Sequence, residues 1–208
     1  MRKTCSYCGI TKDISEFGRW QRGENGYFMM CKECHKASKQ RYVNKIKDMI
    51  YQYKLGHPCI ECGEADPIVL DFHHHDPNAK SFKISFAVMH GSYSIFTIQE
   101  EMAKCDVLCA NCHTKMHYPD PYQGVVMRKY PNGKLYPHLR AKRWFAELKQ
   151  GKSCKCGESH PAALEYHHRD PKTKLFNIKE GKGKEATMAE ITKCDLLCCN
   201  CHRKAENA

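Results

Sequence analysis

Pairs of cysteines and pairs of histidines recur along this sequence at spacings that suit metal binding. Adjacent histidines, His73 and His74, lie in Leu-Asp-Phe-His-His-His-Asp-Pro, and a close copy of this pattern returns at residues 164–171. Each copy is followed by Cys-x-x-Cys-His, which ends at His113 in the first copy and at His202 in the second. Cysteine and histidine are preferred ligands of Zn²⁺, and a neutral imidazole can also accept a proton near neutral pH. The repetition therefore indicates two metal sites of one design.

Most of the 15 cysteines fall into close pairs, and the pairs form three sets of four. Each set can hold one Zn²⁺ through four sulfurs at about 2.3 Å. An odd cysteine total, Cys-x-x-Cys spacing and a polar start to the chain favour zinc in a reducing cytoplasm over a secreted disulfide framework. In the third set one intervening residue is missing, and Cys-x-Cys is a poorer chelating turn. The predicted structural zinc ligands are Cys5, Cys8, Cys31 and Cys34, then Cys59, Cys62, Cys109 and Cys112, and finally Cys154, Cys156, Cys198 and Cys201.

The charge of the chain favours a polyanionic partner. Its 208 residues carry a formal net charge of +11. Twelve thiolates would lower this charge and three Zn²⁺ would raise it again, which leaves about +5. A basic surface of this kind suits nucleic acid, although solvated helix faces have the same composition. No run approaches the roughly 20 apolar residues that a membrane span requires, so a membrane-spanning helix is excluded.

The elements that position these residues follow from turn signals and periodicity. Residues 1–38 indicate a four-cysteine zinc ribbon, and a basic run over 36–55 has the apolar period of a helix. In the first copy, 69–73 and 82–84 alternate as two strands and 109–117 begins a helix. The predicted domains are a ribbon at 1–38, a first module with its leading helix at 39–117, a linker at 118–139 and a second module at 140–208. The linker contains a small hairpin around Asn132-Gly133, and the second module begins with a leading helix over 140–150.

The arrangement resembles the HNH endonuclease family, which has a ββα-metal fold with a His-His or Asp-His pair on its first strand and a last histidine on its helix. The likeness covers residues of about 57–117 and again 152–204. The expected fold class is accordingly small α+β zinc-stapled modules: an N-terminal zinc ribbon plus two ββα-metal domains with leading helices. An N-terminal ribbon before such a module is also similar to phage and mobile-element endonucleases, which implies a cytoplasmic location in a bacterial or phage-infected cell.

The resemblance assigns a role to each residue that matches the family pattern. It implies His74 and His168 as general bases, with Asp71 and Glu165 as acidic residues that orient the sites. One departure is plain, since Lys104 and Lys193 stand where the family has its middle asparagine. The implied ligands of the catalytic cation are His73, His113 and His117 in the first copy and His167 and His202 in the second. His117 lies one helical turn after His113, and Glu206 stands at the same place in the second copy.

The implied function is a metal-dependent endonuclease that hydrolyses phosphodiester bonds in double-stranded DNA. Each site would use one divalent cation, Mg²⁺ or another, beside up to three structural Zn²⁺ in the chain. Two sites would let a monomer cut both strands, so no oligomer is required. Two alternatives stay open: a zinc-stabilised nucleic-acid-binding or regulatory protein that does not cleave, and a nickase in which only the first module is active.

Overall fold

The structure, a computed structural model, describes residues 1–118, 143–178 and 182–207. The chain divides into two compact units, of which the first comprises Met1–Tyr53 and Asp76–Lys104 and the second comprises Lys54–His75 and Cys105–Ala208. The hairpin expected around Asn132-Gly133 lies outside the described residues. The module boundaries inferred from the repeat therefore stay a prediction.

Two short hairpins open the first unit and form the ribbon. Strands β1 (Arg2–Thr4) and β2 (Thr11–Asp13) pair antiparallel, as do β3 (Phe17–Arg19) and β4 (Tyr27–Cys31). Such small sheets bury little apolar surface, and their core consists only of Cys5, Phe17 and Cys31 with a few partly buried neighbours. A core of this size needs a further constraint, which the sulfur cluster described below supplies.

Helix α1 (Lys32–Leu55) follows β4 directly and begins four residues before the predicted start at 36. It buries Val43, Ile46 and Ile50, whose spacing of three and four residues places them on one face. Within the described ranges no helix, α1 included, is long and apolar enough to cross a membrane.

Helices α2 (Ile84–His90) and α3 (Ile95–Met102) complete the first unit. Gly91 ends α2 in the left-handed conformation, at φ +58°, and a Cβ at this position would lie 3.0 Å from Cγ2 of Val43. A side chain here would therefore be strained and would also crowd α1. The neighbouring Tyr42 hydroxyl donates a hydrogen bond of 2.9 Å to the carbonyl of Tyr93, which fixes the same turn against α1.

The strand predicted at 82–84 was wrong, because this segment leads into helix α2. The backbone N–H groups of Ser81 and Phe82 donate to Oε1 of Glu101, at 2.8 and 3.4 Å, rather than to a neighbouring strand. Ile84 is buried as the first residue of α2. Alternation over only three residues fits the first turn of a helix as well as it fits a strand.

In the second unit, each repeat copy forms a two-stranded sheet followed by a helix. The partner of the first strand is the segment that leads into Cys-x-x-Cys, and His73 and His74 lie opposite Asp106 and Cys105. The equivalent residues His167 and His168 lie opposite Asp195 and Cys194. The elements are β5 (Leu70–His74), β6 (Cys105–Cys109) and α4 (Ala110–His117) in the first copy, and a helical segment α5 (143–147), β7 (Leu164–His168), α6 (Lys184–Ile191), β8 (Cys194–Cys198) and α7 (Cys199–Glu206) in the second.

The segments that lead into the two copies make the same contact with the first strand. The ammonium of Lys54, near the end of α1, donates to the carbonyl of Leu70, and the ammonium of Lys149, just after α5, donates to the carbonyl of Leu164. The described part of α5 lies inside the helix predicted over 140–150. The repeated unit thus includes a leading segment as well as the sheet and the last helix.

Helices α4 and α7 meet at their N-terminal ends through nearly symmetric contacts. The N–H of Asn111 donates to Oδ1 of Asn200, and the N–H of Asn200 donates to Oδ1 of Asn111, both at 3.1 Å. Both asparagines are buried, so each side chain satisfies a backbone donor that its partner helix cannot satisfy internally. Two ion pairs also join each helix to the other copy: Lys115 pairs with Glu158 at 2.9 Å, and Lys204 pairs with Glu64 at 3.1 Å.

Candidate metal centres

All twelve predicted zinc ligands gather into three clusters of four cysteines. In each cluster the four sulfur atoms lie within 4.8 Å of one another, as a tetrahedral Zn²⁺ site requires. The cysteines are unpaired by disulfides, and one member of every cluster is exposed while others are buried. The chain therefore consists of small α+β units with three clusters that fit structural zinc.

One local design builds all three clusters. In each, the third cysteine ends a strand and the fourth lies in the first turn of the helix that follows. Sγ of Cys109 accepts the N–H of Cys112 at 3.5 Å, and Sγ of Cys198 accepts the N–H of Cys201 at 3.4 Å. A thiolate at this position caps the helix and is stabilised by the positive end of the helix dipole.

Backbone donors prepare one sulfur in each cluster for the thiolate form. The N–H groups of Cys31 and Cys8 lower the pKa of Cys5 to about 6, while a hydrogen bond with the Cys31 sulfur raises the pKa of Cys34 to about 12. Burial acts against ionisation of Cys59, but the N–H groups of Cys109 and its other neighbours outweigh burial and lower the pKa to about 7. Zn²⁺ binding would displace the remaining protons, so affinity for the metal must increase with pH.

The shortened Cys-x-Cys turn does not open the third cluster. Sγ of Cys156 lies 3.6 Å from Sγ of Cys198, the same distance that separates Cys62 from Cys109 in the second cluster. Gly157 follows this turn at φ +95°, a conformation that only glycine adopts without strain. The missing residue is thus absorbed in the backbone of the turn, and the sulfur positions are kept.

The first histidine cluster joins strand β5 to helix α4. His73, His113 and His117 each offer a ring nitrogen within 4.8 Å of the others, and the two helix histidines approach with their Nε2 atoms 3.2 Å apart. Burial lowers the pKa of His73, which favours the neutral ring that a metal needs. The helix spacing of four residues explains why His113 and His117 share one face.

Asp71 orients this cluster and also connects it to the second copy. Its Oδ2 lies 3.5 Å from Nδ1 of His113, which turns Nε2 of that ring toward the cluster. Arg203 of helix α7 donates to both carboxylate oxygens of Asp71, at 2.9 and 2.8 Å. Burial alone would raise the pKa of Asp71, but these contacts with His113 and Arg203 outweigh it and hold the pKa at about 2.

The second histidine cluster has the same frame with one different donor. His167 and His202 converge with Glu206, and Nε2 of His202 lies 3.4 Å from Oε1 of Glu206. Nδ1 of His202 lies 2.7 Å from Oε2 of Glu165, a closer version of the contact between His113 and Asp71. Glu206 was not predicted as a ligand, although its place one turn after the helix histidine was the available signal.

His168 is held from behind by a buried carboxylate that the sequence interpretation missed. Nε2 of His168 lies 2.8 Å from Oε1 of Glu190, whose side chain is only 1% exposed. A hydrogen bond from Lys193, the N–H of Leu175 and the contact with His168 lower the pKa of Glu190 to about 2, so the carboxylate accepts and the ring must donate. This contact leaves Nδ1 as the ring nitrogen that can take a proton. His168 lines the same groove as the second histidine cluster.

The lysines that replace the family's asparagine connect the helix before the second strand to the loop after the first. Lys104 donates to the carbonyl of Ala79, to Ser81 and to the carboxylate of Glu101. Lys193 donates to the carbonyl of Thr173 and to Glu190 in the same way. A glutamate three residues before each lysine, Glu101 and Glu190, was a repeated signal in the sequence.

The structure places the other predicted base, His74, at the end of β5, where it is half-buried and lies opposite Cys105. The following residue differs between the copies but makes an equivalent contact. Nε2 of the exposed His75 lies 2.8 Å from Asp106, and Arg169 donates to Asp195 at 3.0 Å. His75 is therefore a surface hydrogen-bond partner of Asp106 rather than a member of the cluster.

No protein-family model, curated protein or solved structure matches this chain significantly. The resemblance to HNH endonucleases consequently rests on the residues and on the geometry given above.

Proposed function

We propose that the chain is a metal-dependent endonuclease that hydrolyses DNA at two HNH-like sites. The observation that supports this most directly is the second site, where two histidines and a carboxylate converge in the same groove as His168. Structural zinc needs no such group, because each copy already has four cysteines for that purpose. A histidine hydrogen-bonded to a buried carboxylate beside a cation site is an arrangement that suits general-base hydrolysis.

The residues of the second site divide the work of phosphodiester hydrolysis. A divalent cation bound by His167, His202 and Glu206 would stabilise charge on the phosphate and on the leaving oxygen. Nδ1 of His168 takes the proton from the attacking water. The carboxylate of Glu190 keeps the ring in place through Nε2–H and stabilises the imidazolium that forms. In the first site the corresponding roles fall to His73, His113 and His117 as ligands and to His74 as the base.

Double-stranded DNA is the proposed substrate because the chain remains basic after the zinc correction. Lysine and arginine outnumber acidic residues, 34 to 23. Contacts of such residues with phosphates depend on salt, so binding should weaken steeply as the salt concentration increases. The charge supports a polyanionic substrate and leaves the recognition sequence unspecified.

The test uses supercoiled plasmid, the zinc-loaded chain and added Mg²⁺, Mn²⁺ or Ni²⁺, with EDTA as the metal-free control. His74→Ala and His168→Ala should each convert cutting of both strands into nicking, and the double variant should leave the plasmid supercoiled. His75→Ala is the matched control, because it removes an adjacent histidine that contacts only Asp106 in the described contacts.

Full-rate linearisation by either single variant would contradict the two-site proposal. Nicking by the unaltered chain, lost only in His74→Ala, would instead favour a nickase with one active module. Binding of DNA without cleavage under every cation would favour the zinc-stabilised binding or regulatory protein.

A further inference from the structure

The two histidine clusters differ in their third donor. Helix α4 supplies His117 to the first cluster, whereas helix α7 supplies Glu206 to the second, in each case four residues after the shared helix histidine. The first donor set therefore consists of three imidazoles, and the second consists of two imidazoles and one carboxylate. The sheets that carry the two clusters have the same register, β5 with β6 and β7 with β8.

The contacts behind the donors also differ between the copies, although less than the donors themselves. In the first copy the carboxylate of Asp71 is shared between His113, at 3.5 Å, and the guanidinium of Arg203, at 2.8 Å. In the second copy Glu165 is in close contact with His202, at 2.7 Å. A carboxylate near a ligating imidazole makes the ring a more basic donor, and a shared, longer contact does so less. Arg203 also places a fixed positive charge beside the first cluster.

Donor type governs which divalent cation a site prefers. Imidazole suits Zn²⁺, Ni²⁺ and Cu²⁺, while carboxylate oxygen suits Mn²⁺ and Mg²⁺. Ni²⁺ gains much more than Mn²⁺ when an oxygen donor is replaced by an imidazole, and the change in relative affinity is on the order of tenfold for one donor. The carboxylate of Glu206 is also mostly exposed, with 59% of its side chain accessible, so it can rotate onto an ion at little cost in desolvation.

We propose that the two clusters select different cations: the first a borderline ion such as Ni²⁺, Co²⁺ or Zn²⁺, and the second a harder ion such as Mn²⁺ or Mg²⁺. The inference rests on that part of the proposed function that places a cation in each cluster. It does not depend on DNA cleavage. Under this inference the two strands of one substrate are cut with different metal requirements.

Binding of Ni²⁺ and Mn²⁺ to the zinc-loaded full chain tests the inference without any substrate. His167→Ala with His202→Ala leaves only the first cluster, and His73→Ala with His113→Ala leaves only the second. Isothermal titration calorimetry gives both dissociation constants for each variant, and electron paramagnetic resonance of Mn²⁺ reports its coordination. The ratio of Ni²⁺ to Mn²⁺ affinity should be at least about tenfold larger in the first cluster than in the second.

Exchanging the third donor provides the matched controls. In these backgrounds His117→Glu should lower the ratio in the first cluster by about tenfold, and Glu206→His should raise it in the second by a similar factor. Zinc content and far-ultraviolet circular dichroism verify that each variant is folded, and either exchange suffices if the other fails to fold. Ratios that agree within about twofold between the clusters, or ratios unchanged by a folded exchange variant, would overturn the inference.

The outcome separates this inference from the proposed nuclease. A chain with the expected cation preferences that cuts no DNA refutes the nuclease and supports the inference. A chain that cuts DNA with equal preferences at both clusters does the reverse.

Discussion

The ion pair between Asp71 and Arg203 offers the most informative perturbation of this molecule. It joins the first histidine cluster to the last helix of the second copy through two hydrogen bonds. The change Arg203→Thr is mild, because Thr114 occupies the equivalent position in helix α4. The variant removes both hydrogen bonds between Arg203 and Asp71 and leaves the contact between Asp71 and His113 in place.

The pKa of Asp71 indicates the scale of the effect, although burial opposes the contacts and makes the net shift smaller than their sum. A fall from 3.8 to about 2 corresponds to about 2.5 kcal/mol if all of it is converted to free energy. His113 provides part of this, and the side chains of Asp71 and Arg203 are 29% and 37% exposed. Solvent screening at that exposure reduces the share of Arg203 to about 1 to 1.5 kcal/mol.

A double-mutant cycle isolates this term. The free energy of unfolding in urea is measured at saturating zinc for the unaltered chain, Arg203→Thr, Asp71→Asn and the double variant. We expect a coupling energy of about 1 to 1.5 kcal/mol, because each single change already abolishes the pair. Arg203→Thr should also weaken cation binding at the first cluster, where Asp71 orients His113, and leave the second cluster unchanged.

Lys204→Ala, in its own double-mutant cycle with Glu64→Ala, is the control for a generic loss of charge on the same helix. Lys204 is more exposed than Arg203 and its pair with Glu64 is longer, so its coupling should be at most about 0.5 kcal/mol. A coupling energy below about 0.3 kcal/mol for Asp71 with Arg203 would refute the reasoning, since the pair would then add nothing beyond a surface contact.

Two further predictions concern the zinc clusters and the contact between the helices. A mercurial reagent that blocks thiols should release three Zn²⁺ per chain, because each cluster of four sulfurs holds one ion, and Cys201→Ser should leave two tightly bound. A metal-sensitive dye counts the released ions, and a count of two in the unaltered chain would contradict the third site. Asn111→Ala should lower the free energy of unfolding by about 1 to 3 kcal/mol, because the buried N–H of Asn200 loses its acceptor; urea denaturation measures the loss, and an effect near zero would show that the exchange of hydrogen bonds does not form.

Local ligand chemistry was the most predictable part of this molecule. Cysteines two or three residues apart can converge on a common point near their own turn, so the spacing paired them, and the order of the pairs along the repeat grouped them into sets of four. The paired histidines were placed on strands and the last histidines on helices from the local sequence pattern and the family resemblance. The repeat also showed the histidine pair and the Cys-x-x-Cys-His ending twice.

Long-range pairing was not predictable in the same way. The segment 82–84 was predicted as the second strand, whereas the strand that pairs with β5 is β6, whose residues immediately precede the helix. The backbone donors of Ser81 and Phe82 are instead taken by the buried carboxylate of Glu101. The pairing of Glu190 with His168 and of Arg203 with Asp71 likewise depends on residues distant in the sequence, for which periodicity gives no signal.

Two of the differences between the copies lie where the copies meet and where a cation would bind. Helices α4 and α7 share Asn111 and Asn200, which exchange hydrogen bonds, and Lys115 and Lys204, which each reach across to the other copy. They differ at two of the positions that matter for chemistry: Thr114 against Arg203, and His117 against Glu206.

A symmetric pair of sites needs neither difference, because the exchange between Asn111 and Asn200 and the two lysine ion pairs already link the copies in both directions. Arg203 adds a positive charge beside the three-imidazole cluster, and Glu206 adds a negative charge to the other. The charge of Arg203 is paired with Asp71 and acts alike on every divalent cation, so the exchange of His117 for Glu206 alone favours harder cations at the second cluster. The last helix of the second copy therefore has a place in both sites: Glu206 is a donor in its own cluster, and Arg203 binds Asp71 beside the first cluster.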